Sequence, residues 1–188
     1  MGNETLDTTL LDRAILFAVE AHRGTARRGK RLPYIVHSLE AMTIAASMTD
    51  DQEILAAAAL HDTVEDTDVT LEELKSRFGE RVASFVETES DDLSSGETWH
   101  EKKRKSAARL ASASREAKIV ALGDKLSNMR AIARDYAVRG DALWNLFHVK
   151  DRASHAWHYR GLAASLSELS ETFAYQEFVE LIARVFHD

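Results

Sequence analysis

Pro33 is the only proline in 188 residues, and glycine occurs just 8 times, so little in this chain forbids a helix. Alanine is abundant, and apolar residues recur at helical spacing. Leu11, Ala14, Ile15, Ala18 and His22 share one face, and so do Val82, Phe85 and Val86. In "AKIVALGDKLSNMRAIA" the adjacent Ile119 and Val120 resemble a strand, but no alternation with polar residues follows. Ile119, Leu122, Leu126 and Met129 fall instead on one helical face. No strand-like runs flank a hairpin turn, and none alternates with helix. The fold class is therefore all-α. The pattern predicts helices over 7–22, 36–48, 51–64, 70–77, 80–90, 98–111, 115–133, 140–169 (with room for a break) and 172–186. Thr70 followed by Glu73 has capping-box spacing, Ser114 is placed to cap the seventh helix, and Gly79 suits a left-handed helix end. The segments 23–33 and 91–97 read as loops, with Asp91 and Asp92 in a turn. No repeat or shift in composition divides the chain, so a single domain over 1–188 is expected.

The longest apolar run, "ILAAAAL", falls far short of the roughly 20 residues a membrane span needs. The first residues carry neither a basic end nor an apolar stretch, so no secretory signal is read there, and a cytoplasmic location is the default. The absence of cysteine excludes disulfides and thiolate chemistry. A net charge of −7 argues against nucleic-acid binding. Yet "RGTARRGKR" (Arg23 to Arg31) has five basic residues in nine, and "EKKRK" (Glu101 to Lys105) has four in five. An acidic chain with two local basic patches suits a small anionic ligand rather than a duplex. Aromatic-rich helices towards the C-terminus hint at self-association.

The stretch with most chemistry is "LHDTVEDTD", Leu60 to Asp68, where a histidine and four carboxylates follow directly on an apolar helix. Close carboxylates repel, and burying them is costly unless a cation or hydrogen bonds compensate. His61 and Asp62 can hold one metal over a helix end, and Glu65 and Asp66 follow each of them by one turn. Further ligands are available beside apolar helical sequence: His37 in "PYIVH" and Asp124 in "ALGDKLSN". Two histidines and two carboxylates leave coordination positions for water and substrate, and such mixed ligation fits Mn²⁺ or Fe²⁺, with zinc a further option.

These residues resemble the HD-type (p)ppGpp hydrolases, a family that includes the hydrolase half of the Rel/Spo enzymes, the stand-alone small alarmone hydrolases and the animal SpoT homologue. The resemblance runs from about Ala14 to Tyr159 and is most specific in "LHDTVEDTDVTLEELKSRFG". It implies an HD-domain helical bundle of about eight to ten helices. It places the metal ligands on His37, His61, Asp62 and Asp124, with Mn²⁺ the usual ion and other divalent metals tolerated. Glu65 and Asp66 fall on the pair that positions or activates the attacking water, and Asn128 on the ribose-contacting asparagine. Arg27 and Arg28 in "AHRGTARR" match the basic pair beside the nucleobase and phosphates, and Lys102 and Lys103 in "TWHEKKRK" match a basic segment. Lys150, His155 and Tyr159 in "LWNLFHVKDRASHAWHYRGL" match substrate-contacting positions more loosely. Ser38 stands where the family usually has proline, Gly123 where it usually has alanine, and the basic loop is a residue longer than in many relatives.

The activity so implied is metal-assisted hydrolysis of the 3′-pyrophosphate of a guanosine or adenosine alarmone, a small nucleotide, to GDP or GTP and pyrophosphate. Two other readings remain open on the residues alone. One is an HD-family phosphohydrolase acting on a different nucleotide; the other is a sensor that binds an alarmone without cleaving it. His22 is expected to pack in the core or fix the basic loop, and Trp99, Trp144 and Trp157 to serve core or interface.

Overall fold

The computed structural model describes residues 6–89 and 96–187. Asp91 and Asp92 lie outside the described residues. Ten α-helices are found among the described residues: α1 (Thr9–Ala21), α2 (Ile35–Ala45), α3 (Gln52–Leu60), α4 (Thr63–Asp66), α5 (Leu71–Phe78), α6 (Glu80–Glu89), α7 (Trp99–Ala111), α8 (Arg115–Arg139), α9 (Arg152–Ser165) and α10 (Phe173–Val185). Short 3₁₀ turns occupy Gly140–Leu146 and Ser167–Leu169. The only β-type pairing among the described residues is a single antiparallel bridge between Ala26 and Pro33, which pinches the loop at 23–33. No helix among the described residues is long and apolar enough to cross a membrane.

The core is built around α3. Every residue from Ile54 to Leu60 is buried, because α1, α2, α6 and α8 pack around it on all sides. Small alanine side chains let those neighbours approach, and a helix apolar all round belongs in a core. Its start is fixed by Asp51, whose carboxylate accepts from the Glu53 amide at 2.9 Å. The expected caps form elsewhere too: Thr70 accepts from Glu73 N and Ser114 from Ala117 N, and Gly79 ends α5 at φ +92°. Thr98 and Glu101 complete a full capping box at the start of α7.

The helix boundaries differ most from the sequence reading at α3 and α8, and the segment 140–169 takes the break allowed for it. The helix expected over 51–64 ends at Leu60, because local side chains take over its last carbonyls: His61 Nδ1 lies 2.9 Å from Ala58 O, and Thr63 Oγ1 donates to Leu60 O at 2.7 Å. Asp62 then turns the chain at φ −95°, ψ 0°, and a single helical turn follows with Asp66 N bonded to Asp62 O. The helix expected to stop at 133 runs on to Arg139, since "RDYAVR" contains no breaker; Gly140, at φ +54°, closes it. The segment 140–169 is broken into the 3₁₀ turn, an irregular stretch and α9, which Asp151 caps by accepting from Ala153 N and Ser154 N.

The 25-residue α8 is about 37 Å long. Its first half is buried on nearly every side and packs closely along α2. Gly123 makes that approach feasible: a Cβ there would sit 2.6 Å from the Ala41 carbonyl oxygen. The propensity lost by a mid-helix glycine therefore has a packing return.

Candidate active site

His37 projects from the first turn of α2, His61 and Asp62 from the turn that ends α3, and Asp124 from the buried half of α8. One ligand atom from each lies within 4.8 Å of all the others. The imidazoles meet edge to face, with Nε2 atoms 3.3 Å apart. His37 Nε2 is 3.3 Å from Asp62 Oδ2 and 3.1 Å from Asp124 Oδ1, while His61 Nε2 is 2.9 Å and 3.5 Å from the same two oxygens. The donor set fits a divalent cation, since two nitrogens and two carboxylate oxygens converge on one point.

The electrostatics show what the cluster needs. Burial alone would lower the His61 pKa, but Asp62 and Asp124 outweigh it and hold the imidazole well above its usual range. Burial likewise favours the neutral form of Asp62, yet His61 and His37 keep that carboxyl far below its usual value. Asp124 is depressed in the same way against its burial, first by the Lys125 ammonium and then by the two imidazoles. The raised His61 and the Lys125 ammonium place positive charge against the two carboxylates, the same role a cation would serve.

Lys125 is itself partly buried between two carboxylates, 2.5 Å from Asp124 Oδ2 and 3.0 Å from Glu89 Oε2. Asn128, one turn on, donates to Asp124 Oδ1 and accepts from Arg27 Nη2 at 2.7 Å. Tyr34 donates its hydroxyl to Asp62 Oδ2 at 2.6 Å. Burial, and then the neighbouring Asp62 charge, push this phenol far above its ordinary pKa, so it stays a donor. Behind it, His22 is buried and stacked on the Tyr34 ring at 4.7 Å, and neither of its nitrogens finds a hydrogen-bond partner in the structure. Nothing local in the sequence marks Tyr34, Lys125 or Glu89, whose roles depend on contacts between separate helices.

Asp62 and Asp124 of the cluster line a cavity of about 660 Å³, with His37 and His61 buried behind them. Glu65 and Asp66 reach its rim from α4, next to Asp62. Arg27, Arg28 and Lys103 give its wall positive charge, while Ile132, Leu143, Leu146 and Phe147 make an apolar shelf. Asn128 and the buried Tyr159 also line it. The loop at 23–33 is tied over the cavity by Arg27 and by an ion pair from Lys30 to Asp135 at 2.9 Å. Lys102 lines a smaller adjoining cavity of about 250 Å³ with Trp99, His148 and His155, and Arg28, Glu65, Lys103 and Phe147 border both. Lys150 is exposed and lines neither cavity, because the irregular stretch before α9 turns it away. Trp144 is core, stacked on Phe186 and His155; Trp99 is half-buried, and Trp157 is 44% exposed.

Fold and site together define a class: an all-helical domain that builds a candidate divalent-metal cluster around an adjacent His-Asp pair at a helix end. The chain belongs to the HD domain family, whose model matches residues 14–148. It is 39% identical over 130 residues to the guanosine-3′,5′-bis(diphosphate) 3′-pyrophosphohydrolase MESH1 of Danio rerio, a match covering 68% of this chain and 71% of that one. It is 40% identical over 138 residues to the Homo sapiens protein of the same name, covering 71% and 74%. A solved structure described as a metazoan ortholog of SpoT that hydrolyzes ppGpp superposes with a TM-score of 0.77 at 27% identity, over 96% of this chain and 97% of that one.

Proposed function

We propose that this protein is a metal-dependent 3′-pyrophosphohydrolase that cleaves ppGpp or a close guanosine or adenosine alarmone, acting as one domain in the cytoplasm. The observation that carries this reading is the convergence of four ligand atoms within 4.8 Å, two of them from Asp62 and Asp124, which line one cavity with Arg27, Arg28 and Lys103. The named relatives and the structural neighbour support the substrate class.

His37, His61, Asp62 and Asp124 would hold the ion; their mixed nitrogen and oxygen donors suit Mn²⁺, the ion the family resemblance implies, among other divalent metals. When bound, such an ion supplies Lewis acidity and positive charge against phosphate oxygens. Glu65 and Asp66, exposed at the rim beside Asp62, accept a proton from the attacking water. Water attacks the phosphorus carried by the ribose 3′ oxygen; the P–O3′ bond breaks, O3′ takes a proton, and ppGpp yields GDP and pyrophosphate. Arg27, Arg28 and Lys103, with Lys102 in the adjoining cavity, offset the charge of the polyanion. Asn128 offers its amide to the ribose hydroxyl, and the Leu143, Leu146 and Phe147 shelf receives the base. Tyr159 closes the buried side.

The test is chromatographic separation of products after metal-stripped protein is incubated with ppGpp, with and without Mn²⁺. GDP and pyrophosphate formed only with Mn²⁺ are expected. Intact ppGpp under both conditions, with ppApp also left intact in the same assay, would refute the proposal.

A further inference from the structure

His37 is held from behind by groups outside the cluster. Ser127 Oγ lies 2.8 Å from His37 Nδ1 and 2.7 Å from Glu40 Oε2. Helical spacing produces the arrangement: Glu40 follows His37 by three residues on α2, and Ser127 follows Asp124 by three on α8. Each helix thus contributes one member of the cluster and one member of the support behind it.

Proton counting fixes the direction of these bonds. An ionised carboxylate can only accept, so the single hydroxyl hydrogen of Ser127 goes to Glu40. The lone pairs left on Oγ face His37, whose Nδ1 must then carry the hydrogen. The lone pair of His37 is left on Nε2, the atom turned towards Asp62 and Asp124. Ser127 is 1% exposed, so water does not compete for its hydroxyl. The Glu40 carboxylate is itself held by Arg130, 3.3 Å away, which is gripped by both carboxylate oxygens of Glu177 on α10 at 2.7 and 2.6 Å. The other histidine is served differently. His61 Nδ1 meets the main-chain carbonyl of Ala58, which no side-chain substitution removes.

We propose that Ser127 and Glu40 are positioning residues that fix the tautomer and ring orientation of His37 for a divalent cation, with Arg130 holding the Glu40 carboxylate in place behind Ser127. This rests on the metal-dependent reading above, and its readout is metal affinity rather than turnover.

The experiment is calorimetric titration of the metal-stripped full chain with Mn²⁺, for the parent, Ser127→Ala, Ser127→Thr and Glu40→Gln. Ser127→Ala is expected to weaken binding about 10–100-fold, the usual cost of losing an outer partner of a histidine ligand. Ser127→Thr keeps the hydroxyl and is expected to restore most of the affinity. Glu40→Gln, which removes charge with little change of shape, is expected to weaken binding as well, and it decides the matter if Ser127→Ala does not fold. Parent-like affinity in Ser127→Ala or Glu40→Gln would overturn the proposal, as would a threonine variant as weak as the alanine one. A parent that binds no Mn²⁺ overturns the metal reading and this inference with it. Binding by the parent without ppGpp cleavage leaves only the substrate assignment in error.

Discussion

An alanine at position 123 sets two effects of comparable size against each other. In a helix interior alanine is favoured over glycine by about 1 kcal/mol. Here the added Cβ would lie 2.6 Å from Ala41 O and 3.3 Å from Ala41 C, well inside a normal contact of about 3.5–4.0 Å. The obstacle is the main chain of α2, so the two helices have to separate. Overpacking of this kind costs about 1–3 kcal/mol. The net is a loss of roughly zero to 2 kcal/mol, and at about 2–4 °C per kcal/mol for a chain of this size the melting point falls by up to about 8 °C. Metal affinity is the more sensitive reporter. His37 lies one turn before Ala41, and Asp124 is next to Gly123, so separating the helices pulls apart one ligand from each. Gly123→Ala is therefore expected to weaken Mn²⁺ binding by about tenfold or more, the scale seen when support for a ligand is lost. Melting curves under chelator and calorimetric Mn²⁺ titration measure the two effects separately. A variant that melts higher than the parent and binds Mn²⁺ equally well would refute the close approach of α8 to α2.

Other perturbations separate the roles within the cavity. Glu65→Gln combined with Asp66→Asn is expected to lower kcat by about 10²–10⁴-fold while metal stoichiometry stays unchanged; steady-state rates and elemental analysis check this, and an undiminished rate would remove both residues from the mechanism. Asp124→Ala should abolish stoichiometric metal binding, and a variant that retains the ion would exclude Asp124 as a ligand. Arg28→Ala is expected to raise KM about tenfold with kcat near the parent value, as for a contact equal in ground and transition states; a loss confined to kcat would contradict that. The pH dependence follows from His61, where burial opposes charge but Asp62 and Asp124 prevail and raise the pKa. Such a group contributes stability in full below its unfolded value of about 6.5, and the contribution is lost as pH rises through the folded value. Chelated protein should melt lower at pH 9 than at pH 6, and excess Mn²⁺, which displaces that proton, should reverse the trend; a chelated protein that gains stability over this range would contradict the assignment.

Much of the architecture is visible in local pattern. Apolar spacing places α1, α6 and α10 within a few residues of their observed limits, since each has one buried face. The end of α3 is not visible, because Ile54 to Leu60 is apolar all round and gives no phase; only the side chains of His61 and Thr63 bonding back to the main chain show where it stops. The far end of α8 is hidden for the opposite reason: beyond Ala133 the helix is mostly solvated and its apolar rhythm fades. Within the site, His61 and Asp62 stand out in sequence as a charged pair after an apolar helix. Glu89 and Lys125 are unremarkable until the fold brings α6 against α8, and Ser127 looks like any helix-interior serine until Glu40 and His37 close on it.

The bond from His61 Nδ1 to Ala58 O makes the metal-facing histidine also the stopper of the most buried helix in the molecule. Replacing it would leave that carbonyl without a partner in the core, at a cost of about 1–3 kcal/mol, on top of any loss of metal. An inactive reference protein made at His61 would confound two failures, a weakened scaffold and an emptied site. Asp62 carries no such duty for α3: its carboxylate faces Tyr34 and the imidazoles, and it caps nothing. Substitution at Asp62 is thus the cleaner way to silence this protein while keeping it folded, whether for trapping an uncleaved ligand or as the blank in a cellular assay.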